Sequence, residues 1–214
     1  MYDRYADSPR KQRGWAAENP GNRAIREELL AAILELVGDR LAGDGPILDV
    51  GCGSGWLLAE LAREGIAESR LHGVDLLPRR VAAAAERVPG AELKVADARA
   101  LPFGDDSISV VVMLTCLSSM PHHRAVAAAL AQAKRVTADG GVILVYEPRV
   151  PNPFNRATRT ISRSSLVGEL GSPFASRSLT GVPPLARRLG SQAPRIYPVL
   201  ARVAPTHRLL SFAA

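Results

Sequence analysis

Cysteine is scarce in this chain. Cys52 and Cys116 are the only two in 214 residues, too few for the disulfide framework of a small secreted fold. No second Cys/His pair sits at ligand spacing, so no metal site is expected. Both thiols fall near predicted strand ends and read as free, which suits a reducing cytoplasm. Lysine is nearly missing as well: Lys11, Lys94 and Lys134 are all there is, and arginine carries the positive charge. Aromatic residues make up only 5% of the chain, and the basic C-terminal part lacks the interleaved rings of a single-strand nucleic-acid binder. No apolar run reaches the roughly 18 residues of a membrane span. The polar opening, Met1-Tyr-Asp-Arg-Tyr5, has no signal-peptide core.

What is present is a chain of ordinary α/β size, long enough to bury a core without metal or disulfide. Its formal charge of +6 is uneven. Residues 148–214 hold ten arginines against one acid, Glu169, while residues 1–147 carry a net −3. A basic segment of this kind suits a phosphate, nucleic-acid or membrane-surface partner. Arginine-rich, Ala/Gly/Pro-rich composition throughout is the plainer account of it.

Strands and helices alternate. Helical periodicity covers 23–41, with Ile25, Leu29, Ile33, Leu36 and Val37 on one stripe. Strands are expected at 46–50, 71–75, 92–95, 108–114 and 141–146, and helices at 56–64, 78–88 and 121–136. Two of these helices open on proline, which costs nothing in a first turn. Beyond 148 the signal weakens: a short helix near 161–170, another near 183–189, and two strands at 196–200 and 207–212 forming an antiparallel edge. The fold class is α/β, a Rossmann-like, doubly wound, mostly parallel sheet with right-handed crossovers. We divide a single domain into an N-terminal lid (1–24), a core (25–147) and an Arg/Pro-rich substrate side (148–214).

In such a sheet the ligand sits at the carboxyl ends of the strands, near the switch point after the first. That rim begins with Asp49-Val-Gly-Cys-Gly-Ser-Gly55, where Gly51 and Gly53 let a ligand approach the backbone. Asp75 ends the second strand, 24 residues after Gly51, and can accept from both hydroxyls of a ribose. Leu76 offers an apolar face to an adenine. Asp97 follows the third strand and can accept from an exocyclic amine. Three acids on one rim disfavour a pyrophosphate and favour a cationic adenosine. The Gly-x-Gly-x-Gly spacing also departs from the dinucleotide pattern Gly-x-Gly-x-x-Gly. S-adenosylmethionine, a sulfonium with an ammonium and no phosphate, fits better than a nicotinamide dinucleotide.

Taken in order, Asp49–Gly55, Gly73-Val-Asp75, Val95-Ala-Asp-Ala98 with Leu101-Pro-Phe103, the run 108–114 and Gly140-Gly-Val-Ile-Leu-Val-Tyr-Glu147 resemble the class I S-adenosylmethionine-dependent methyltransferases. The similarity is greatest to the small-molecule branch that includes the ubiquinone/menaquinone biosynthesis enzymes, and it covers about residues 25–147. It implies that Gly51, Cys52 and Gly53 line the methionine end and that Asp49 helps to hold the ammonium. It further implies that Asp75 binds the ribose, that Leu76 and Leu114 border the cofactor, and that Asp97 with Ala98 meets the adenine amine. The product is S-adenosyl-L-homocysteine.

Methyl transfer is an in-line displacement at an activated carbon, so positioning supplies much of the rate. A general base is needed only for a hydroxyl or a protonated amine. His123 and His122 open the helix after the fourth strand and are the candidate bases; oxygen is therefore the expected target. Glu147 and Arg149, just past the fifth strand, are candidate substrate contacts, as are Tyr5 and Trp15 in the lid. The expected partner is a small-molecule acceptor such as a natural product, saccharide or lipid-like compound. An anionic one would suit Arg149, Arg156, Arg159 and Arg163. An RNA methyltransferase using the basic region is the alternative. It is disfavoured because Leu114-Thr-Cys-Leu-Ser-Ser119 replaces the Asn/Asp-Pro-Pro-aromatic motif of base-modifying relatives. Monomer and homodimer are both open.

Overall fold

A computed structural model describes residues 18–151 and 158–214. It shows a seven-stranded sheet in the order β3-β2-β1-β4-β5-β7-β6. The strands are β1 (Ile47–Val50), β2 (Leu71–Asp75), β3 (Glu92–Val95), β4 (Ile108–Leu114), β5 (Thr137–Pro148), β6 (Ala175–Gly181) and β7 (Pro205–Ala213). The first five pair in parallel, as the alternation of elements predicts. Strand β7 is antiparallel to both β5 and β6, so it is the one reversed strand and lies one place in from the edge. The switch point falls between β1 and β4, beside the glycine-rich turn.

Helices cover both faces of the sheet. α1 (Pro20–Leu41) and α2 (Trp56–Arg63) close one apolar layer with Ile47, Val110, Val112 and Leu144. α4 (His123–Val136) and α5 (Arg163–Leu170) close the other with Leu48, Val111, Met113 and Ile143. The central strands thus bury side chains on both faces, which is why β1 and β4 are apolar except for Asp49 and Ser109. The remaining helices are α3 (Pro78–Arg87), α6 (Pro183–Ala186) and α7 (Ala193–Val203).

α1 begins three residues before the periodic stripe, because Asn19 caps it. The Asn19 side chain accepts the Gly21 and Asn22 N–H groups at 3.0 and 3.2 Å, and Pro20 fills the first turn. Arg70 pins the turn from α1 into β1, donating to the carbonyls of Leu41 and Gly45 at 3.0–3.1 Å. That turn lies at the amino ends of the strands, so the N-terminus of α1 lies on the carboxyl-end rim.

The C-terminal part needs two corrections. Residues 196–200, expected as a strand, lie inside helix α7. An apolar run around Pro198 looks extended, but Ala193, Tyr197 and Ala201 are buried at a spacing of four, the helical period. The edge is instead β6, which the sequence hides. Its Ser176, Arg177 and Ser178 are exposed, and its ladder to β7 rather than any apolar pattern makes it a strand. Residues 207–212 lie in β7, as expected. Tyr5, Trp15 and Arg156 fall outside the described residues, as do the lid's first seventeen positions.

Candidate active site

The rim at the carboxyl ends of β1 and β2 is built around two buried acids. Asp49 and Asp75 end adjacent parallel strands and are almost fully covered. The Asp75 carboxylate accepts the Gly53 N–H at 3.0 Å on one oxygen and the Leu77 N–H at 2.9 Å on the other. The Arg80 guanidinium stands 3.7 Å away. Among the described residues Asp49 has no such support, and burial, with the neighbouring Asp75 charge, pushes its carboxyl up to about 7. Two carboxyl groups confined this way disfavour a second negative charge and welcome a cation.

The glycine turn supplies the approach. Gly51, Gly53 and Gly55 all adopt positive φ, at 79°, 55° and 74°. A Cβ on Gly51 would stand 2.7 Å from the Cys116 Cβ, whereas one on Gly53 would meet nothing within 4 Å. Gly51 therefore lets β1 pass against the β4 turn, and Gly53 leaves open space over Asp75. Cys52 is buried in that turn with its N–H donating to the Val74 carbonyl at 2.9 Å. Burial and both acids push its thiol well above the usual range, so it stays protonated and packs as a small apolar group.

Beside Asp75 the surface turns apolar. Leu76 is 64% exposed and Val95, in register with Asp75, is 53% exposed. Two large apolar side chains left in water on either flank of a buried acid suit one face of a flat ring. Val95 was not singled out from the sequence; its place as the last residue of β3 was the available signal. Ala98 is half-buried against the α4-side core. Asp97 is also at this rim, but it already has a partner. Arg99 donates Nε to both its oxygens at 2.9 and 3.0 Å and Nη2 at 2.6 Å, which holds the carboxyl below its usual range.

The β4 end is strained. Leu114 is half-buried, and the next residue, Thr115, is a non-glycine at φ 54°. Such residues persist where the surroundings over-determine them. Here the Thr115 N–H donates to the Tyr146 carbonyl at 2.8 Å, and a 3₁₀ turn, Leu117–Ser119, follows directly. Glu147 reaches under that turn from β5, accepting the Leu117 and Ser118 N–H groups at 2.7 and 3.2 Å. Its carboxylate is buried and holds the turn rather than facing out from the rim.

His122 and His123 are exposed at the start of α4. His122 lies just outside the helix as its cap, its Nδ1 accepting the Ala125 N–H at 3.0 Å. That fixes Nδ1 as an acceptor and leaves the proton on Nε2. His123 is the first helical residue. Arg149 is exposed and bridges to the edge, donating Nη1 to the Ser178 hydroxyl at 3.0 Å. The Arg159 N–H donates to the Ser118 carbonyl at 2.9 Å, which ties the following segment to the rim. Arg163 opens α5.

The comparisons agree with this geometry. Residues 47–141 match the protein family described as a methyltransferase domain. The similarity to methyltransferase domains therefore runs from β1 into β5, across the glycine turn and both buried acids. The chain is 28% identical over 130 residues to the demethylmenaquinone methyltransferase of Chlorobaculum parvum, covering 60% of this chain and 52% of that one. It is 34% identical over 139 residues to the O-methyltransferase cnsE of Penicillium expansum, covering 61% and 46%. The chain thus spans about half the length of these curated relatives. The magnesium protoporphyrin IX methyltransferase of Synechocystis PCC 6803, solved with bound S-adenosylmethionine, shares the fold. Its TM-score is 0.65 at 16% identity, over 98% of this chain and 93% of that one.

Sequence reasoning also missed a polar cluster near the carboxyl end of β5. The Tyr146 hydroxyl bonds the Thr180 hydroxyl, and the Glu28 carboxylate accepts the Thr180 N–H at 2.9 Å and the Tyr197 hydroxyl at 2.5 Å. Thr180 is buried at φ 64° and is fixed by these bonds. His207 stacks on Tyr146 at 4.9 Å, and burial with the Arg187 charge lowers its imidazole to about 4. No local motif joins residues this far apart in the chain.

The buried acids and the α4 cap each carry an expected effect on stability. Burial lifts Glu147 to about 8 and Asp49 to about 7, against ordinary values of 4.5 and 3.8. Between those limits the folded state holds protons that the unfolded chain has released, so stability falls as pH rises. His207 acts in the opposite sense only below its unfolded value of 6.5. The ligand-free melting temperature is therefore expected to drop from pH 6.5 to 8.5, and Glu147→Gln to flatten the drop in a thermal scan. His122→Ala removes a helix cap and is expected to cost about 1 kcal/mol, read by chemical denaturation.

Proposed function

We propose that this protein transfers the methyl group of S-adenosylmethionine to a small-molecule acceptor, at oxygen. The observation that carries the reading is the pair of buried acids on adjacent strands, Asp49 and Asp75, facing an open glycine turn. A cationic nucleoside suits that arrangement and a pyrophosphate does not. Asp75 would hold the ribose, Asp49 the ammonium, and Leu76 with Val95 the adenine. The cofactor supplies an electrophilic methyl on a sulfonium. The protein's task is then to align an acceptor and exclude water.

His123 is the favoured base, since it is exposed on the rim and His122 is occupied as a cap through Nδ1. The choice of oxygen rests on that histidine. An aligned acid–base partner contributes roughly 10²–10⁴-fold, so His123→Ala is expected to lower kcat by that order and to leave cofactor affinity unchanged. The test is transfer of a labelled methyl group to a panel of phenols, sugar hydroxyls, carboxylates and amines. Labelling of hydroxyl compounds alone supports the reading. Labelling of amines alone, or a turnover indifferent to His123→Ala, removes the base from it. Parallel incubation with RNA tests the alternative raised by the basic C-terminal residues.

A further inference from the structure

The segment that carries the chain's excess charge builds a surface which the methyl-transfer reading leaves unused. Between residues 171 and 214 there is no acidic residue and no lysine, and there are six arginines. Within it α7 packs its Ala193, Tyr197 and Ala201 side inward. Its outward side is both apolar and basic. Ile196, Val199 and Val203 are 40%, 63% and 78% exposed. At 100° per residue these three lie within about 60° of one another. Arg195 and Arg202, both exposed, run beside them about 20° apart. Leu185 of α6, a helix in contact with α7, is exposed as well.

A fold of this size has no need to leave three branched aliphatic side chains of one helix in water. Charge says what would cover them. Of the acids of α1, Glu28 is taken by Thr180 and Tyr197, while Glu27, 3.9 Å from Arg23, lines a cleft with Arg202 on the side of α7 that turns towards α1. Away from that cleft, Arg195 stands beside the exposed aliphatic side chains, and α7 itself carries no acid. This is the composition of a helix lying in a bilayer interface, with its apolar stripe among the acyl chains and its cations among anionic headgroups. Among the described residues no helix is long and apolar enough to cross a membrane, so any attachment of these residues would be peripheral.

We infer that the outward face of α7, with Leu185 of α6, docks this protein on anionic membrane surfaces. The inference stands apart from the methyl-transfer reading, yet the two surfaces adjoin. Arg187, just past α6, donates Nε to the Asn22 side chain at 2.7 Å, and the Asn19 side chain donates to the Arg187 carbonyl at 3.3 Å. Those bonds tie the α6–α7 unit to the N-terminus of α1, on the rim that holds the acids. A docked protein would present that rim beside the bilayer.

The test is co-sedimentation of the full chain with vesicles of mixed phosphatidylglycerol and phosphatidylcholine, against phosphatidylcholine alone. Binding is expected to the anionic vesicles only, and to weaken with added salt as screening grows. V199D/V203D puts two carboxylates into the stripe and is expected to lower the partition coefficient by about tenfold or more. R195E/R202E does so through charge alone and touches no buried residue. Both variants should keep the wild-type circular dichroism spectrum and S-adenosylhomocysteine affinity, which separates loss of docking from loss of fold or of the cofactor reading. Equal binding to neutral vesicles, no binding at all, or binding that survives both variants overturns the inference. So does a dimer, by light scattering, that V199D/V203D splits; the stripe would then serve a second copy of the chain.

Discussion

Asp75→Ala is expected to weaken S-adenosylhomocysteine binding about a hundredfold, the equivalent of about 2–3 kcal/mol. Two losses combine. The acceptor for the ribose hydroxyls goes, and the Gly53 and Leu77 N–H groups lose the carboxylate that now takes them at 3.0 and 2.9 Å. The glycine turn is thereby released from β2, and a turn held less firmly binds less well. Asp75→Asn keeps one acceptor oxygen and almost the same volume, so it should fall between alanine and wild type. Asn also removes the charge that helps burial to raise Asp49, so the Asp49 carboxyl should titrate lower in that variant. Calorimetric titration of the three proteins reads the affinity order. Equal affinity in all three would remove Asp75 from the site.

The second large effect is on stability and comes from Gly51. Gly51→Ala forces a side chain onto a residue at φ 79° and sets its Cβ 2.7 Å from the Cys116 Cβ. Left-handed backbone costs an alanine about 1–2 kcal/mol, and crowding a packed position adds about 1–3 kcal/mol. A total near 3 kcal/mol corresponds to a fall of about 10 °C in melting temperature for a chain of this length. Gly53→Ala is the control. Its φ is 55° but nothing lies within 4 Å of the new methyl, so only the backbone cost applies. The two glycines are indistinguishable as sequence, on either side of Cys52 in the same motif. The contrast is a property of the β4 turn, where Cys116 comes up against β1.

That difference shows what the sequence can and cannot say here. β1 and β4 were legible because both their faces are buried and the chain there is mostly Ile, Leu, Val and Met. The rim followed from topology, since every parallel strand must end on it. β6 and α7 were not legible. A polar edge strand is set by the ladder to β7, and an apolar run of five fits either period until its neighbours are known. The acids divided in the same way. Their positions at strand ends were plain, but not that Arg99 pairs with Asp97, nor that Glu147 caps the 117–119 turn instead of facing an acceptor. Both facts depend on side-chain direction after the strand has ended. The cluster of Glu28, Tyr146, Thr180, Tyr197 and His207 is the extreme case, assembled from α1, β5, β6, α7 and β7.

The most direct test of the account is calorimetric titration of the wild-type protein with S-adenosylhomocysteine, alongside NAD on the same sample. The geometry predicts one site of micromolar affinity for S-adenosylhomocysteine and no heat with NAD. The buried acids Asp49 and Asp75 favour the ammonium and ribose of the first and repel the pyrophosphate of the second. Saturable binding of NAD, with none of S-adenosylhomocysteine, would contradict it.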